Sequence, residues 1–533
     1  MKKILSIICS LFIVFSSLMS DIGFAMDPPK KSSNCQVEKN NEISDDIDLV
    51  YTYVDLHDEK LQKKRNSLHQ KDYDNDELKY SLRSVIQNIP WIRKIFIIMP
   101  NEKVKFLKDI SEINDKIVYI KDEDILGFDS ASSIAFEFNL WKLKKFGCSE
   151  NILYLNYDWF IGKPVKKSKF FYYDDNGKLV PYVLFDQKID YGQFQKIKDY
   201  YLKLEKSAKG YQTSSLFRLS RMRAFLFLYK HFNRDILCPA ENLKYFPHNA
   251  LGENLSELKE LYDLVSNNYE NANDCLLAKV RNKNDLQHQT LLGFYLINKY
   301  NRKVRGGAGA YVDLAQVSGY HFNDDLYCIN TGGNRHYTPL NYLKCRVKME
   351  QLFPKRTQYE IPDFEDGIYT ISSKLDSNKR LAIKGGSKNN CANLQLLDRN
   401  GTDAQKFKVQ YNPDRCYTIK AICSGKMLDV LGGSKNVLQC TKNKRNTQKW
   451  FIVPDGEGYY CLVPKCNDLC MDVCGAKATN GANIHCWSIH AGDNQRFKLE
   501  KCEDKPSSRK PNKARKLAGK PRPNKPGVAK KSS

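Results

Sequence analysis

The stretch NQRF at residues 494–497 ends a pattern that occurs three times in the last third of this sequence. The same ending stands as AQKF at 404–407 and as TQKW at 447–450, so the closing glutamines are 43 and 47 residues apart. A short stretch with apolar ends precedes each one, as LAI at 381–383, LDV at 428–430 and MDV at 471–473. A fixed period of this length indicates a repeat fold built from small supersecondary units.

Three repeats of short strands, each closed by glutamine and an aromatic residue, resemble the ricin-type β-trefoil lectins. The resemblance implies an all-β β-trefoil domain over residues 363–502. In it the closing glutamine is expected to fix a turn, and the aromatic residue to fill the shared core.

A sugar pocket in that family needs an Asp after the first strand, an aromatic residue and a polar residue five positions before the closing glutamine. The third repeat has all three, as Asp472, Trp487 and His490. We therefore predict carbohydrate binding there, by hydroxyl hydrogen bonds to the Asp and stacking on the Trp. The alternative is that Asp472 is a turn residue and Trp487 a core residue.

The other two repeats depart from this pattern. The second keeps Asp429 and Asn443 but has Cys440 at the aromatic position, which makes its pocket doubtful. The first has Ala382 and Leu397 at the Asp and aromatic positions, and we expect no binding there.

Cysteine is concentrated in the same region. The chain has 17 cysteines, of which ten lie between residues 391 and 502. In an exported protein this density predicts disulfides. The pairs Cys423–Cys440 and Cys466–Cys486 are candidates because they occupy comparable places in successive repeats. A zinc site at residues 466–474 is the alternative, although no histidine nearby completes a tetrad.

The N-terminus predicts export. Residues 1–25 have a basic start, an apolar run of about twelve residues and a small-x-small cleavage site, which is typical of a cleaved signal peptide. We expect the mature chain to begin near Met26 and to be secreted or periplasmic. The alternative is an uncleaved anchor, and no later segment is apolar enough to span a membrane.

The formal net charge is +24, and much of the excess lies in the last residues. From residue 505 to 533 there are 11 basic and no acidic residues. We predict a disordered basic tail over 503–533 that contacts acidic surfaces. Since no nucleic-acid-binding motif accompanies the charge, we expect no specific nucleic acid as partner.

Strand and helix patterns alternate between residues 46 and 360. Apolar strands are predicted at 47–54, 95–99, 117–120 and 152–155, and a helix over 76–87. This alternation favours an α/β fold with a largely parallel sheet. Because ligands collect beyond the carboxyl ends of such strands, Asp55 and Asp158 are candidate site residues.

Several separate blocks stand out in this region. The blocks are DLVYTYVD (48–55), DNDELKYSLRS (74–84), PWIR (90–93), EFNL (137–140), LNYDWF (155–160), PHN (247–249), Arg281 with DLQ (285–287), and CIN (328–330). Together they resemble the Stealth family of sugar-phosphate transferases, and the resemblance covers residues 46–360. It implies transfer of a sugar-1-phosphate from a nucleotide-sugar to a glycan hydroxyl, with release of a nucleoside monophosphate.

The resemblance and the chemistry together indicate the site residues. Asp158, His248 and Arg281 are expected to be catalytic: as a phosphate-site carboxylate, as an acid–base group and as a phosphate clamp. A divalent metal, Mg²⁺ or Mn²⁺, is a possible cofactor with Asp55 and Asp158 as ligands. The further candidates for substrate binding are Asp55, Arg83, Glu137, Asn156 and Asn330.

The sequence also departs from the family pattern. Tyr157 and Thr331 stand where the family commonly has Asp, Tyr73 where it often has Arg, and Leu56 where it often has Gly. Two other functions therefore stay open. One is a degenerate transferase that acts as an exported carbohydrate-binding adhesin or effector, and the other is a conventional glycosyltransferase.

Overall fold

The computed structural model describes thirteen segments of the chain. They are residues 45–53, 76–100, 104–128, 130, 132–185, 187–192, 194–207, 213–239, 251–279, 282–307, 309–330, 337–431 and 435–502. The predicted signal peptide, the basic tail and three candidate site residues, Asp55, His248 and Arg281, lie outside these residues.

The first part of the described chain mixes strands and helices. Its strands are β1 (Ile47–Thr52), β2 (Ile95–Met99), β3 (Ile117–Lys121), β4 (Asn151–Asn156), β5 (Trp159–Ile161), β6 (Phe171–Tyr173), β7 (Leu179–Pro181), β8 (Val183–Leu184), β9 (Ile189–Asp190), β10 (Cys238–Pro239), β11 (Leu251–Asn254), β12 (Val304–Arg305), β13 (Ala310–Asp313) and β14 (Leu326–Asn330). Its helices are α1 (Glu77–Asn88), α2 (Ile110–Ile113), α3 (Asp122–Leu126), α4 (Ser133–Asn139), α5 (Phe194–Ser207), α6 (Thr213–Phe232), α7 (Leu255–Asn268), α8 (Ala272–Leu276), α9 (His288–Tyr300) and α10 (Pro339–Leu352).

A five-stranded sheet forms the centre of this part, with strand order β3-β2-β1-β4-β11. The four strands β1 to β4 run parallel, and β11 is antiparallel at the edge. Residues 47–51 of β1 are completely buried, as a strand covered on both faces must be. The predicted α/β fold with a largely parallel sheet is confirmed. In the sheet, β2 and β3 lie on one side of β1, and β4 lies on its other side. The strand order therefore reverses between β1 and β4, and the carboxyl ends of these two strands form a topological switch point.

The last part is all-β. Its strands are β15 (Gly367–Ser373), β16 (Asp376–Ile383), β17 (Ala392–Asp398), β18 (Phe407–Tyr411), β19 (Tyr417–Ala421), β20 (Met427–Val430), β21 (Val437–Cys440), β22 (Trp450–Pro454), β23 (Tyr460–Pro464), β24 (Leu469–Val473), β25 (Ala482–Ser488) and β26 (Phe497–Lys501). Six of them close a barrel through the pairings β15–β18, β18–β19, β19–β22, β22–β23, β23–β26 and β26–β15. The hairpins β16–β17, β20–β21 and β24–β25 complete the three repeats, which is the architecture of a β-trefoil.

The three closing glutamines make the same contacts, as the repeat predicted. Gln495 donates from Nε2 to the carbonyl of Ser488 (2.9 Å), and its Oε1 accepts from the amide of His490 (2.9 Å). Gln405 and Gln448 make the same two hydrogen bonds. Each donates from Nε2 to the carbonyl seven residues before it and accepts at Oε1 from the amide five residues before it. The aromatic residues two positions later, Phe407, Trp450 and Phe497, are completely buried in the trefoil core.

Helix α10 joins the two parts by an apolar face. Leu343 and Val347 are buried in one cluster with Phe451 and Val453 of β22 and with Ile489 of the third repeat. Since α10 follows β14 in the chain, one helix connects the central α/β part to the trefoil. No helix among the described residues combines the length and apolar character needed to span a bilayer.

A buried ion-pair network reinforces this connection. Arg83 on α1 is 2% exposed and donates from Nη1 to Glu350 (2.8 Å) and to the carbonyl of Phe353 (3.0 Å). Its Nε and Nη2 donate to Glu360, at 3.0 and 2.8 Å. Nearby, Lys79 donates to Asp363 at 2.9 Å. Helix α1, helix α10 and the segment that enters the trefoil are thus held by one guanidinium.

We predict that Arg83→Met lowers the free energy of unfolding by about 3–5 kcal/mol, because two buried carboxylates lose their counter-charge. Urea denaturation measures the change. The matched control is Lys144→Met, which removes a cation from an exposed pair with Glu150 and is expected to cost less than about 1 kcal/mol. Equal effects of the two substitutions would contradict a structural role for the Arg83 network.

Candidate functional site

The carboxyl ends of β1 and β4 lie side by side at the switch point. Thr52, the last residue of β1, pairs in register with Asn156, the last residue of β4. The Tyr154 hydroxyl donates to Asn156 Oδ1 (3.1 Å) and lies 2.9 Å from Thr52 Oγ1. The predicted substrate residue Asn156 is therefore placed at this edge and is held by the neighbouring strand.

Asp158 follows β4 in the turn to β5 and is fixed by β14. Asn330 Nδ2 donates to Asp158 Oδ2 at 2.6 Å, and the Cys328 thiol donates to the same oxygen at 3.3 Å. The amide of Ile329 donates to the Asp158 carbonyl at 3.0 Å. The sequence predicted Asp158 and Asn330 from separate blocks, and the antiparallel pairing of β14 with β5 brings them together.

The second carboxylate oxygen, Asp158 Oδ1, is buried and has no hydrogen-bond partner among the residues that the structure describes. A buried carboxylate oxygen without a partner is costly unless a ligand satisfies it. Beside it, burial and the Asp158 charge raise the pKa of the Cys328 thiol well above its usual range, so that Cys328 stays a neutral donor. The arrangement presents one negative oxygen at the switch point.

Glu137 lies deeper, on α4. Its carboxylate is almost fully buried, with Oε2 3.8 Å from His288 Nδ1. Burial, followed by the charge of Glu137, raises the pKa of Tyr154 and of the completely buried Glu253 well above their usual values. The structure thus places Glu137 in a buried polar cluster near the Tyr154 hydroxyl. Its predicted contact with substrate stays a prediction.

Arg83, a predicted substrate-binding residue, lies in the buried ion-pair network, and its predicted contact with substrate stays a prediction. Its Nε, Nη1 and Nη2 atoms all donate to Glu350, Glu360 or the Phe353 carbonyl in the network described above. Those partners lie more than 260 residues away in the sequence, and no local pattern predicted them.

Asp55, His248 and Arg281 lie outside the described residues, so their predicted roles stay predictions. The same holds for Asp55 as a metal ligand. At the end of the described segment that contains β1, the Tyr53 ring packs edge-on against Tyr157 at 5.5 Å between centroids. Among the described residues no group of three or more His, Cys, Asp or Glu side chains is arranged to hold a metal ion.

A second candidate site lies in the third trefoil repeat. Asp472 Oδ1 is 3.2 Å from His485 Nε2, and its Oδ2 is 3.2 Å from His490 Nε2. Oδ2 also accepts from Asn494 (2.8 Å) and Gln495 (3.0 Å). The Trp487 side chain is 49% exposed, which is not the environment of a core residue. The three residues predicted from the repeat pattern therefore lie in one cluster, the candidate third-repeat pocket, in which Asp472 contacts both His485 and His490.

Sequence reasoning missed two side chains of this pocket. His485 stacks on Trp487 with 5.4 Å between ring centroids, and its position two residues earlier on the same strand was the available signal. Lys435 comes from the second repeat and lies with Nζ 5.3 Å from the Trp487 ring centroid. No local pattern links residue 435 to residue 487.

The strand register supports the comparison of the three repeats. Cys470 opposes Trp487 in the third repeat, Met427 opposes Cys440 in the second, and Arg380 opposes Leu397 in the first. Trp487, Cys440 and Leu397 are thus equivalent positions. In the second repeat the side chain of Asp429 accepts from Gln448 (2.8 Å), but no aromatic residue stands at the equivalent position.

The predicted disulfide pairs also require correction. The structure joins Cys461 to Cys470, and Cys423, Cys440, Cys466 and Cys486 are free thiols. Cys440 ends β21, whose pairing with β17 places it next to residue 391 and not next to Cys423. Cys466 lies near Cys486, since after burial its charge contributes to raising the pKa of the Cys486 thiol, but the structure does not join the two sulfurs. The disulfide also takes Cys470 out of the alternative zinc group.

Comparison with known proteins agrees with both parts. Residues 71–179 match the family described as Stealth protein CR2, conserved region 2. Residues 355–436 and 403–487 match the ricin-type beta-trefoil lectin domain-like family. A designed three-fold symmetric protein of known structure is 32% identical, with a TM-score of 0.25, and covers 26% of this chain and 100% of its own.

The similar curated proteins are phosphotransferases by name. A capsular polysaccharide phosphotransferase of Haemophilus influenzae is 27% identical over 320 residues, covering 56% of this chain and 81% of that protein. An exopolysaccharide phosphotransferase of Streptomyces coelicolor is 32% identical over 144 residues, or 24% of this chain and 23% of that protein. A capsular polysaccharide phosphotransferase of Actinobacillus suis is 32% identical over 152 residues, which is 25% of this chain and 40% of that protein. The chain spans less than half the length of the last two.

The buried cluster around Glu137 generates a prediction about stability. Burial lowers the pKa of His288 to about 3, whereas in the unfolded chain it titrates near its ordinary 6.5. Between these values the unfolded chain binds more protons, so the free energy of unfolding should fall as pH drops from about 6.5 toward 3. The contribution has a slope of at most about 1.4 kcal/mol per pH unit.

Urea denaturation at several pH values measures this slope. His288→Gln should make it shallower, while the exposed control His321→Gln should leave it as in the wild type. A slope that His288→Gln does not change would contradict the neutral, buried imidazole.

Proposed function

We propose that this chain, which carries a Stealth conserved region 2 and a ricin-type β-trefoil, transfers a sugar-1-phosphate from a nucleotide-sugar to a hydroxyl of a glycan. The trefoil binds carbohydrate through its third repeat. The observation that supports the proposal most directly is Asp158, within the matched region, whose buried Oδ1 atom has no hydrogen-bond partner among the described residues, at the switch point of the sheet.

The reaction breaks the bond between the two phosphates of the donor and forms a bond from the acceptor oxygen to phosphorus. A nucleoside monophosphate leaves. The site must neutralise charge on the phosphate oxygens and accept the proton of the attacking hydroxyl. Asp158 would serve the first need with a bound divalent cation, His248 would act as the base, and Arg281 would hold phosphate oxygens.

Asp158 Oδ1 fits the role of a metal ligand because it is a buried anionic oxygen with no described partner. Asp55 would be the second protein ligand. A bound Mg²⁺ or Mn²⁺ would supply positive charge to the transferred phosphate. The protein's own contribution is orientation, since Asn330 and Cys328 both donate to Oδ2 and hold the carboxylate, while Oδ1 has no partner among the described residues.

Asn156 and Thr52 bound the same edge of the sheet. Through Tyr154 their side chains are linked across β1 and β4, and we propose that Asn156 contacts the donor. This chain has Tyr157 and Thr331 at two positions where the family commonly has Asp. Asp158 therefore supplies a larger share of the negative charge at this site. We also propose that the chain is exported and works where nucleotide-sugars are supplied, such as the secretory lumen of a host cell.

We predict that the purified chain, given a panel of nucleotide-sugars with Mg²⁺ or Mn²⁺, releases a nucleoside monophosphate. Asp158→Asn and His248→Ala should each lower the rate about 10²-fold or more, because they remove site charge and an acid–base group. Chromatography of the nucleotide product is the measurement. Asp175→Asn, the same change in an exposed turn, is the matched control and should keep wild-type activity.

Two outcomes would favour the other functions. Release of a nucleoside diphosphate would show sugar transfer without phosphate and would favour a conventional glycosyltransferase. No turnover of any donor, together with intact glycan binding, would leave a degenerate transferase whose working part is the trefoil.

We predict that Trp487→Ala abolishes glycan binding by the chain while the trefoil stays folded. Stacking of a sugar on an exposed aromatic ring removes apolar surface from water, which favours binding by about 25 cal/mol per Å² of buried surface. With one pocket, no second aromatic ring can replace this contribution. Glycan-array binding and thermal unfolding are the measurements. Leu431→Ala, which truncates another half-exposed apolar residue of the domain, is the control. Undiminished binding by Trp487→Ala would contradict the third-repeat site.

A further inference from the structure

The third-repeat pocket has a basic rim that the sugar-binding pattern does not require. Lys435 belongs to the second repeat, yet its ammonium lies 5.3 Å from the centroid of the Trp487 ring. Its backbone is hydrogen-bonded to the third repeat, where the Cys486 amide donates to the Lys435 carbonyl at 2.8 Å. The next residue, Asn436, forms a β-bridge with His485. The position of Lys435 beside the pocket is thus set by backbone contacts.

The backbone of Lys435 supports the view that its placement is specific. Its φ is +59°, the left-handed region, in which a Cβ crowds the following carbonyl oxygen. Such a conformation persists where surrounding contacts determine it, and it is concentrated at functional positions. Here those contacts are the hydrogen bond from Cys486 and the bridge of Asn436.

The charges that face a ligand in this pocket are positive or neutral. The Asp472 carboxylate is 2% exposed, and its two oxygens are engaged by His485, His490, Asn494 and Gln495. Lys435 is exposed and makes no ion pair with a described carboxylate. The His490 side chain is 42% exposed, and its two ring nitrogens contact Asp472 and the Gly492 amide, so that it adds no negative charge. A ligand therefore meets a cation over the Trp487 ring and little negative charge.

We infer that this pocket binds sugar units that carry a negative charge, with Trp487 contacting the sugar and Lys435 the anionic group. The chemical class we assign is a glycan joined through phosphodiesters. That part rests on the proposed transferase, because transfer of a sugar-1-phosphate onto a hydroxyl creates one phosphodiester per added sugar. The trefoil then holds the class of polymer that the other domain extends.

Calorimetry on the full chain tests the inference with three oligosaccharides of one sugar sequence: neutral, phosphodiester-linked and carboxylated. The phosphodiester-linked form should bind about three- to fivefold more tightly than the neutral form at low salt, and the difference should shrink at 0.5 M NaCl (a Debye length of roughly 4 Å). Lys435→Gln should remove the preference, so that the neutral and phosphodiester-linked forms bind with equal affinity to this variant. The control is Lys388→Gln, an exposed lysine of the first repeat, which should keep the preference.

The outcomes separate the two proposals. Equal affinity for neutral and anionic forms, or a preference that survives Lys435→Gln, would overturn the anion site. Equal binding of the carboxylated and phosphodiester-linked forms would keep the anion site and overturn its assignment to phosphate. A Lys435-dependent preference in a chain that turns over no donor would support the anion site and contradict the transferase. Loss of all binding in Trp487→Ala is expected, and its absence would place the ligand elsewhere.

Discussion

The buried guanidinium of Arg83 is the interaction on which the two-domain arrangement depends. Burying a charge is expensive unless its donors are satisfied, and here two carboxylates and a carbonyl satisfy them. Each acceptor belongs to a different place: Glu350 to helix α10, Phe353 to the end of that helix, and Glu360 to the segment that leads into the trefoil. Displacing any of these elements would leave a buried charge unpaired, so their relative positions are fixed.

Helix α10 is connected to both candidate sites. It follows β14 in the chain, and Asn330 of β14 donates a hydrogen bond to Asp158. Its apolar face packs in one cluster with Ile489, which lies in the sequence between Trp487 and His490 of the candidate pocket. The candidate catalytic edge and the candidate glycan pocket thus belong to one compact unit. We propose that a glycan held in the candidate pocket reaches the catalytic edge of the same unit at a raised effective concentration.

The sequence predicted those features whose signal is local or periodic. The repeat period identified Asp472, Trp487 and His490 together, because equivalent positions in a threefold fold have equivalent surroundings. The α/β fold and the strand-end position of Asp158 followed from apolar strands that end in polar residues. In contrast, the partners of Arg83, the approach of Lys435 to Trp487 and the pairing of Cys461 with Cys470 depend on three-dimensional register. No spacing in the sequence encodes which strands and helices come to lie beside each other.

The central claim is that both domains act on the same glycan, and steady-state transfer kinetics against acceptor concentration test it most directly. Trp487→Ala removes binding energy for the glycan acceptor. Because this energy stabilises the ground state and the transition state equally, its loss affects KM and not kcat. We therefore predict a KM for a long glycan acceptor raised about tenfold or more with kcat unchanged, and no change for an acceptor too short to reach the pocket. An unchanged KM for the long acceptor would contradict the claim and would make the trefoil independent of the transfer reaction.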